Sequence, residues 1–106
     1  MQRTTFLRAS IALAAATLMG TASAAPEPIL IGVPAPMTGP NTQYGDELKA
    51  GVLTAIETLN AAGGLNGRLY QPVLIDDACE PKQAVPAANR VINSGAKFAV
   101  AHACSG

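Results

Sequence analysis

The sequence predicts an α/β unit, a parallel sheet with helices in the order strand–helix–strand–helix–strand. Three observations point there. Residues 29–33, 68–76 and 97–102 are short and largely apolar, as strands buried on both faces of a parallel sheet are. The segments between the first and second and between the second and third carry apolar residues at helical spacing. Regular alternation of the two patterns argues for right-handed crossovers within one sheet.

The first strand is Ile29-Leu30-Ile31-Gly32-Val33, and Pro34 and Pro36 are expected to end it. Residues 37–44, with Thr38-Gly39-Pro40-Asn41, read as a loop. A helix follows over 45–61. Leu48, Val52, Ile56 and Leu59 recur at steps of four, four and three, which places them on one face. Asp46 and Glu47 are expected in its first turn, where the helix dipole favours negative charge. Gly63-Gly64 stops it and Asn66-Gly67 marks a tight turn. The second strand carries Leu69, Tyr70, Val73, Leu74 and Ile75, and Pro72 within it suits an edge or a bulge. Pro81 suits the first turn of a second helix, which is expected to run to Asn93 with Val85, Ala88 or Asn89, and Ile92 facing the sheet. Pro86 removes one backbone bond inside that helix, at a cost of about 3 kcal/mol without compensation. Ser94-Gly95 ends it, and Phe98-Ala99-Val100-Ala101 forms the third strand. No helix follows that strand, so its apolar side chains are expected to meet water, and the chain reads as the start of a larger domain.

Ahead of this unit, Arg3 and Arg8 precede an apolar, alanine-rich run, and Ala22-Ser23-Ala24 follows as an A-x-A cleavage site. That layout is a secretory signal peptide over 1–24, and a bilayer span of roughly 20 apolar residues would need a longer run. Cleavage removes two of seven basic residues and leaves five against seven acidic ones. A mildly acidic product argues against a nucleic-acid partner, which needs a basic face. With no second long apolar run, the mature product is expected to be soluble. Thr38-Gly39-Pro40-Asn41-Thr42 lacks the Gly-Lys-Ser/Thr of a phosphate loop, and no G-x-G-x-x-G follows the first strand, so no cofactor is expected.

Cys79 and Cys104 are the only cysteines. In an exported chain they are most simply a disulfide. A redox site would need C-x-x-C, and zinc would need more ligands than two cysteines and His102. Closing a loop of this size is worth about 3.5 kcal/mol in the chain-entropy model.

Ligands of open α/β sheets bind beyond the carboxyl ends of the strands. Residues 36–44, 76–80 and 102–106 would lie there. Ser105 offers a hydroxyl and a backbone N–H to a carboxylate, Tyr44 an aromatic wall with a polar tip, and Ala103 a small apolar contact. By residue type alone, Ser105 reads more often as a solvated hydroxyl and Tyr44 as a partly buried packing residue. Asp76-Asp77 resembles a metal or phosphoryl-acceptor pair in type, but such acids also mark strand ends and helix caps. His102 has no acid partner placed by sequence, so no catalytic or metal site is expected.

Five segments, in order, carry a resemblance. They are Ile31-Gly32-Val33 with Pro36-Met37-Thr38-Gly39-Pro40; Gln43-Tyr44-Gly45-Asp46; the run from Ile56 to Gly67; Asp76-Asp77-Ala78-Cys79-Glu80-Pro81-Lys82-Gln83-Ala84; and His102-Ala103-Cys104-Ser105. The chain resembles the N-terminal part of the periplasmic branched-chain amino-acid-binding proteins of ABC transporters, the leucine/isoleucine/valine type among type I periplasmic binding proteins. The resemblance implies a partial N-terminal lobe over 25–106 of a two-lobed receptor that closes on its ligand and delivers it to an inner-membrane ABC permease. It implies a periplasmic, non-enzymatic transport protein. It puts Cys79 and Cys104 on the family's disulfide positions, Ser105 on a serine that holds the ligand's carboxylate and amino groups, and Tyr44 on a pocket-lining tyrosine. Ala103 and Cys104 fall beside that pocket.

The sequence departs from the family at three points. Ala103 replaces a bulkier apolar residue often found there, a change expected to widen the pocket, Pro86 stands where a helix-compatible residue is usual, and the chain ends at Gly106 before the second lobe. Half a cleft leaves a ligand's charged groups in water, so these 106 residues alone are expected to bind leucine very weakly or not at all. The alternatives are a binding protein for another small molecule, such as an amide, urea or an aromatic acid, and a non-functional truncated product.

Overall fold

The computed structural model describes residues 25–104. The expected signal peptide, Ser105 and Gly106 lie outside the described residues. The central strand is β1 (Ile29–Ala35), buried at every position but Leu30. On one side it pairs in parallel with β2 (Tyr70–Asp76), from Ile29 opposite Tyr70 to Ala35 opposite Asp76. On the other side it pairs in parallel with β3 (Phe98–Ala99), Ile31 opposite Phe98 and Gly32 opposite Ala99. The strand order is therefore β2-β1-β3, with α1 (Thr42–Ala61) and α2 (Pro81–Asn93) as the crossovers. The parallel α/β architecture is the predicted one.

Pro34 does not end β1, contrary to expectation. Leu30 and Gly32 turn their carbonyls to the β3 side, where Lys97 and Val100 donate to them. Alternation gives Pro34 the same direction, and β3 has ended by then. Its missing N–H therefore costs no ladder bond. Pro72 sits on β2, an edge strand, as its chemistry requires.

Alternation along β1 gives each helix its own face of the sheet. Ile31 and Val33 form the core with Val52 and Ile56 of α1, and Leu48 and Tyr70 pack against it. Gly32 lies on the other face under Val91 of α2, so close that a Cβ there would lie 2.6 Å from Val91 Cγ1. The helix approaches because glycine leaves it room.

α1 starts at Thr42, three residues before the predicted 45, with Asn41 at the N-cap position. Tyr44 is therefore helical, and Asp46 and Glu47 lie beyond the first turn, which holds no acid. Gly45 fixes this start: a Cβ there would collide with the Pro36 carbonyl, so only glycine lets the first turn lie on the strand's exit. Leu59 is exposed, not on the buried face. The last turn meets the sheet through Asn60, whose Oδ1 accepts from Tyr70 N–H at 2.8 Å and whose Nδ2 donates to Tyr70 O at 2.9 Å. The Asn66-Gly67 turn forms as expected, with Leu65 and Arg68 exchanging N–H···O bonds of 2.9 and 3.0 Å.

α2 keeps its predicted bounds and has Pro81 in its first turn, and it continues through Pro86. Its phase is not the predicted one. Val85 and Ile92 are 67% and 71% exposed, and Ala87 is fully buried with Ala84 and Val91 partly buried beside it. Small alanines and the hollow at Gly32 let this face lie against the sheet, which outweighs the larger side chains on the other. β3 is two residues long where six were expected. Phe98 and, just past β3, Val100 are 49% and 39% exposed, so the expected contact of these apolar side chains with water is present.

Candidate functional site

The carboxyl edge of the sheet gathers the loop after β1, the turn after β2 and the segment after β3. β1 lies between the other two strands, so the loop leading to Tyr44 leaves beside the segment that carries Ala103 and Cys104. Side chains from the end of β2 bind both neighbours.

Asp76 turns toward the loop after β1. Its Oδ1 accepts from Met37 N–H at 2.8 Å, from Ala78 N–H at 2.9 Å and, at 3.4 Å, from Thr38 N–H. Its Oδ2 accepts from the Thr38 hydroxyl at 2.5 Å. The Thr38 hydroxyl, then the Met37 N–H, favour the charged form and hold this carboxyl at about 2, below the ordinary 3.8. One ionised side chain thus fixes the loop after β1 against the turn after β2.

Asp77 turns the other way. It is 3% exposed and is the only buried charged residue among the described residues. Its N–H donates to Ala35 O at 3.1 Å, its carbonyl accepts from Glu80 N–H at 3.0 Å, and its Oδ1 accepts from Cys79 N–H at 3.0 Å. Its Oδ2 lies 3.5 Å from His102 Nδ1. Ala78 and Cys79, the central residues of this turn, have φ of 51° and 57°. Both are left-handed, the conformation of a type I′ turn that asparagine and glycine usually supply. Three N–H bonds into Asp76 and Asp77 hold the turn in that shape and aim Cys79 outward.

Cys79 is disulfide-bonded to Cys104 across 25 residues, with a Cα–Cα separation of 5.6 Å, inside the usual range for such a bridge. The predicted pairing is the observed one. Between the bridge, Asp77, His102 and the start of α2 at Glu80 and Pro81 lies an open hollow of about 140 Å³. That is less than the 300–1,000 Å³ or so of a complete small-molecule site. Among the described residues no group of three side chains could hold a metal ion.

The structure therefore brings Cys79, Ala103 and Cys104 to one edge, with Ala103 and Cys104 partly buried. Tyr44 stands in the first turn of α1 at 48% exposure, its N–H donating to Asn41 O at 3.1 Å. Ser105 falls just past the described residues. Sequence reasoning missed Thr38 and Met37 as partners of Asp76, and Asp77 as the partner of His102. The Asp76 partners are 38 and 39 residues away, and no local pattern marks them.

Residues 28–106 match the family model described as periplasmic binding protein. The leucine-, isoleucine-, valine-, threonine- and alanine-binding protein of Pseudomonas aeruginosa is 49% identical over 104 residues, covering 98% of this chain and 27% of that protein. The Leu/Ile/Val-binding protein of Escherichia coli K12 is 47% identical over 79 residues, covering 74% of this chain and 22% of that protein. The chain thus spans about a quarter of the length of these relatives. Among solved structures, a protein described as a putative branched-chain amino acid ABC transporter from Silicibacter pomeroyi superposes with a TM-score of 0.65 at 32% identity, covering 68% of this chain and 19% of that one. The branched-chain amino acid substrate-binding protein of Streptococcus pneumoniae, solved with isoleucine, gives a TM-score of 0.65 at 29% identity, covering 71% of this chain and 22% of that one.

Proposed function

Because the chain belongs to the periplasmic binding protein family, we propose that it supplies part of the N-terminal lobe of a solute-binding component for branched-chain amino acids, serving an ABC importer in the periplasm. The observation that carries this reading is the braced carboxyl edge: a disulfide and two aspartates hold three loops together where an open α/β sheet takes its ligand. The names of relatives 47–49% identical to the chain support leucine, isoleucine and valine as ligands.

In this reading Ser105 receives the α-carboxylate on its hydroxyl and N–H. Tyr44 offers its exposed ring to the aliphatic side chain, and Ala103 and Cys104 form the adjoining wall. Burying an aliphatic side chain of that size is worth about 1.5–3 kcal/mol, roughly 10- to 150-fold in affinity, so the apolar wall separates branched-chain from polar amino acids. The charged ends, common to all amino acids, add affinity without adding to this discrimination. The protein acts by binding and release, with no covalent step. The export signal over 1–24 and cleavage after Ala24 belong to the same reading.

Calorimetry on the protein at its full natural length tests it, with leucine, isoleucine, valine, threonine and alanine against urea, an aliphatic amide and an aromatic acid. Micromolar binding led by the branched-chain amino acids is expected. Binding confined to urea, the amide or the aromatic acid would replace the ligand class, and the small Ala103 is the residue that would then account for it.

A further inference from the structure

The proposed ligand residues Ala103, Cys104 and Ser105 follow a strand that is only two residues long. Past Val100, whose N–H donates to Gly32 O at 2.9 Å, no ladder bond holds this segment among the described residues. Something other than the sheet must set its position. The disulfide supplies one attachment at Cys104. The second is at His102.

We propose that Asp77 and His102 form a positioning pair that sets residues 102–104 for the ligand, and that His102 serves the site without touching the ligand. The inference rests on the binding function proposed above. A buried carboxylate needs partners on both oxygens, or it pays the full desolvation penalty. Asp77 Oδ1 is satisfied by Cys79 N–H, and the basic group at Oδ2 is the His102 imidazole. The backbone of Asp77 is itself tied to β1 through Ala35 and to the turn through Glu80. Asp77 is thus a fixed post, and His102, with its side chain half exposed, is the movable element drawn to it. Cys104 reaches the same turn through Cys79, so the pair and the bridge hold the segment at two points two residues apart. A single attachment leaves the segment free to pivot; two define its direction.

The test uses the full-length protein purified from the periplasm in four forms: wild type, His102→Leu, His102→Asn and Asp77→Asn with His102→Leu. Asparagine keeps an N–H donor near the place of Nδ1, and leucine keeps bulk alone. The readouts are leucine affinity by calorimetry and amide hydrogen exchange at Ala103 and Cys104 without ligand. His102→Leu is expected to weaken leucine binding about 5- to 20-fold, to speed exchange at both amides and to lower the melting temperature, since it leaves the buried Asp77 Oδ2 without its partner. His102→Asn is expected to restore most of both, and the double variant to bind as His102→Leu does. Wild-type exchange rates in His102→Leu, or no rescue by His102→Asn, would overturn the pair. If the wild type binds no branched-chain amino acid, the functional reading fails, and the exchange arm still decides whether the pair positions the segment.

Discussion

Replacing Asp76 by asparagine tests how the site edge is held together. The side chain keeps its shape and loses its charge: its Oδ1 still accepts from Met37 and Ala78 N–H, but without charge assistance, and its Nδ2 can only donate to the Thr38 hydroxyl where Oδ2 accepted from it. The carboxyl titrates at about 2 in the folded chain against an ordinary 3.8. By linkage that difference corresponds to about 2.5 kcal/mol, and solvent screening at this partly exposed position reduces it to roughly 1–1.5 kcal/mol. A carboxyl depressed on folding adds stability that is fully present above the unfolded value, 3.8, and is lost as pH falls through about 2. The measurement is urea unfolding of wild type and Asp76→Asn between pH 7 and pH 2. The gap between them is expected to be about 1–1.5 kcal/mol at pH 7 and to close to a few tenths near pH 2. A gap that stays constant over that range would refute the argument, since it would leave the Asp76 charge with no part in holding the loop.

Three further perturbations follow from the same geometry. Ala78→Gly is expected to stabilise the protein by up to about 1 kcal/mol in urea melts, because glycine accepts a positive φ that costs alanine roughly 1–2 kcal/mol; a destabilisation would mean that the side chain packs. Asn60→Ala removes both bonds to the Tyr70 backbone and is expected to cost about 1–3 kcal/mol, seen as lost protection of the Tyr70 amide in hydrogen exchange. Replacing both Cys79 and Cys104 by serine is expected to cost about 3.5 kcal/mol of unfolding free energy. Adding reductant to the wild type should reproduce that loss, and a smaller loss would mean that the reduced chain already holds the loop.

The element order was legible in the sequence because each device was local. Pro81, Ser94 and Gly95 bracket α2 at the bounds the structure has, and Asn66-Gly67 marks its turn without help from the rest of the chain. Which side of α2 faces the sheet was not legible. The larger Val85 and Ile92 outweigh Ala84, Ala87 and Val91 in any reading of hydrophobicity, and the deciding residue, Gly32, lies on a distant strand. The start of α1 moved for the same kind of reason, through the approach of Gly45 to Pro36. At the site edge, the two cysteines announced their pairing by number and compartment. Asp76 and Asp77 announced only two adjacent acids. Their work is to reach opposite neighbours across the edge of the sheet, and that becomes visible only when β1 lies between β2 and β3. Residue type and place on the sheet edge offered Tyr44, Ala103 and Ser105 as ligand contacts, with plain packing or solvated readings beside them for Tyr44 and Ser105; their specific roles, and the place of Cys104 beside the pocket, came from resemblance.

The most direct test of the account is a crystal structure of the full-length protein with leucine. Leucine is expected at the carboxyl edge of this sheet, its carboxylate on the hydroxyl and N–H of Ser105 and its side chain against Tyr44 and Ala103. Leucine bound elsewhere, with Ser105 and Tyr44 facing only water, would contradict it.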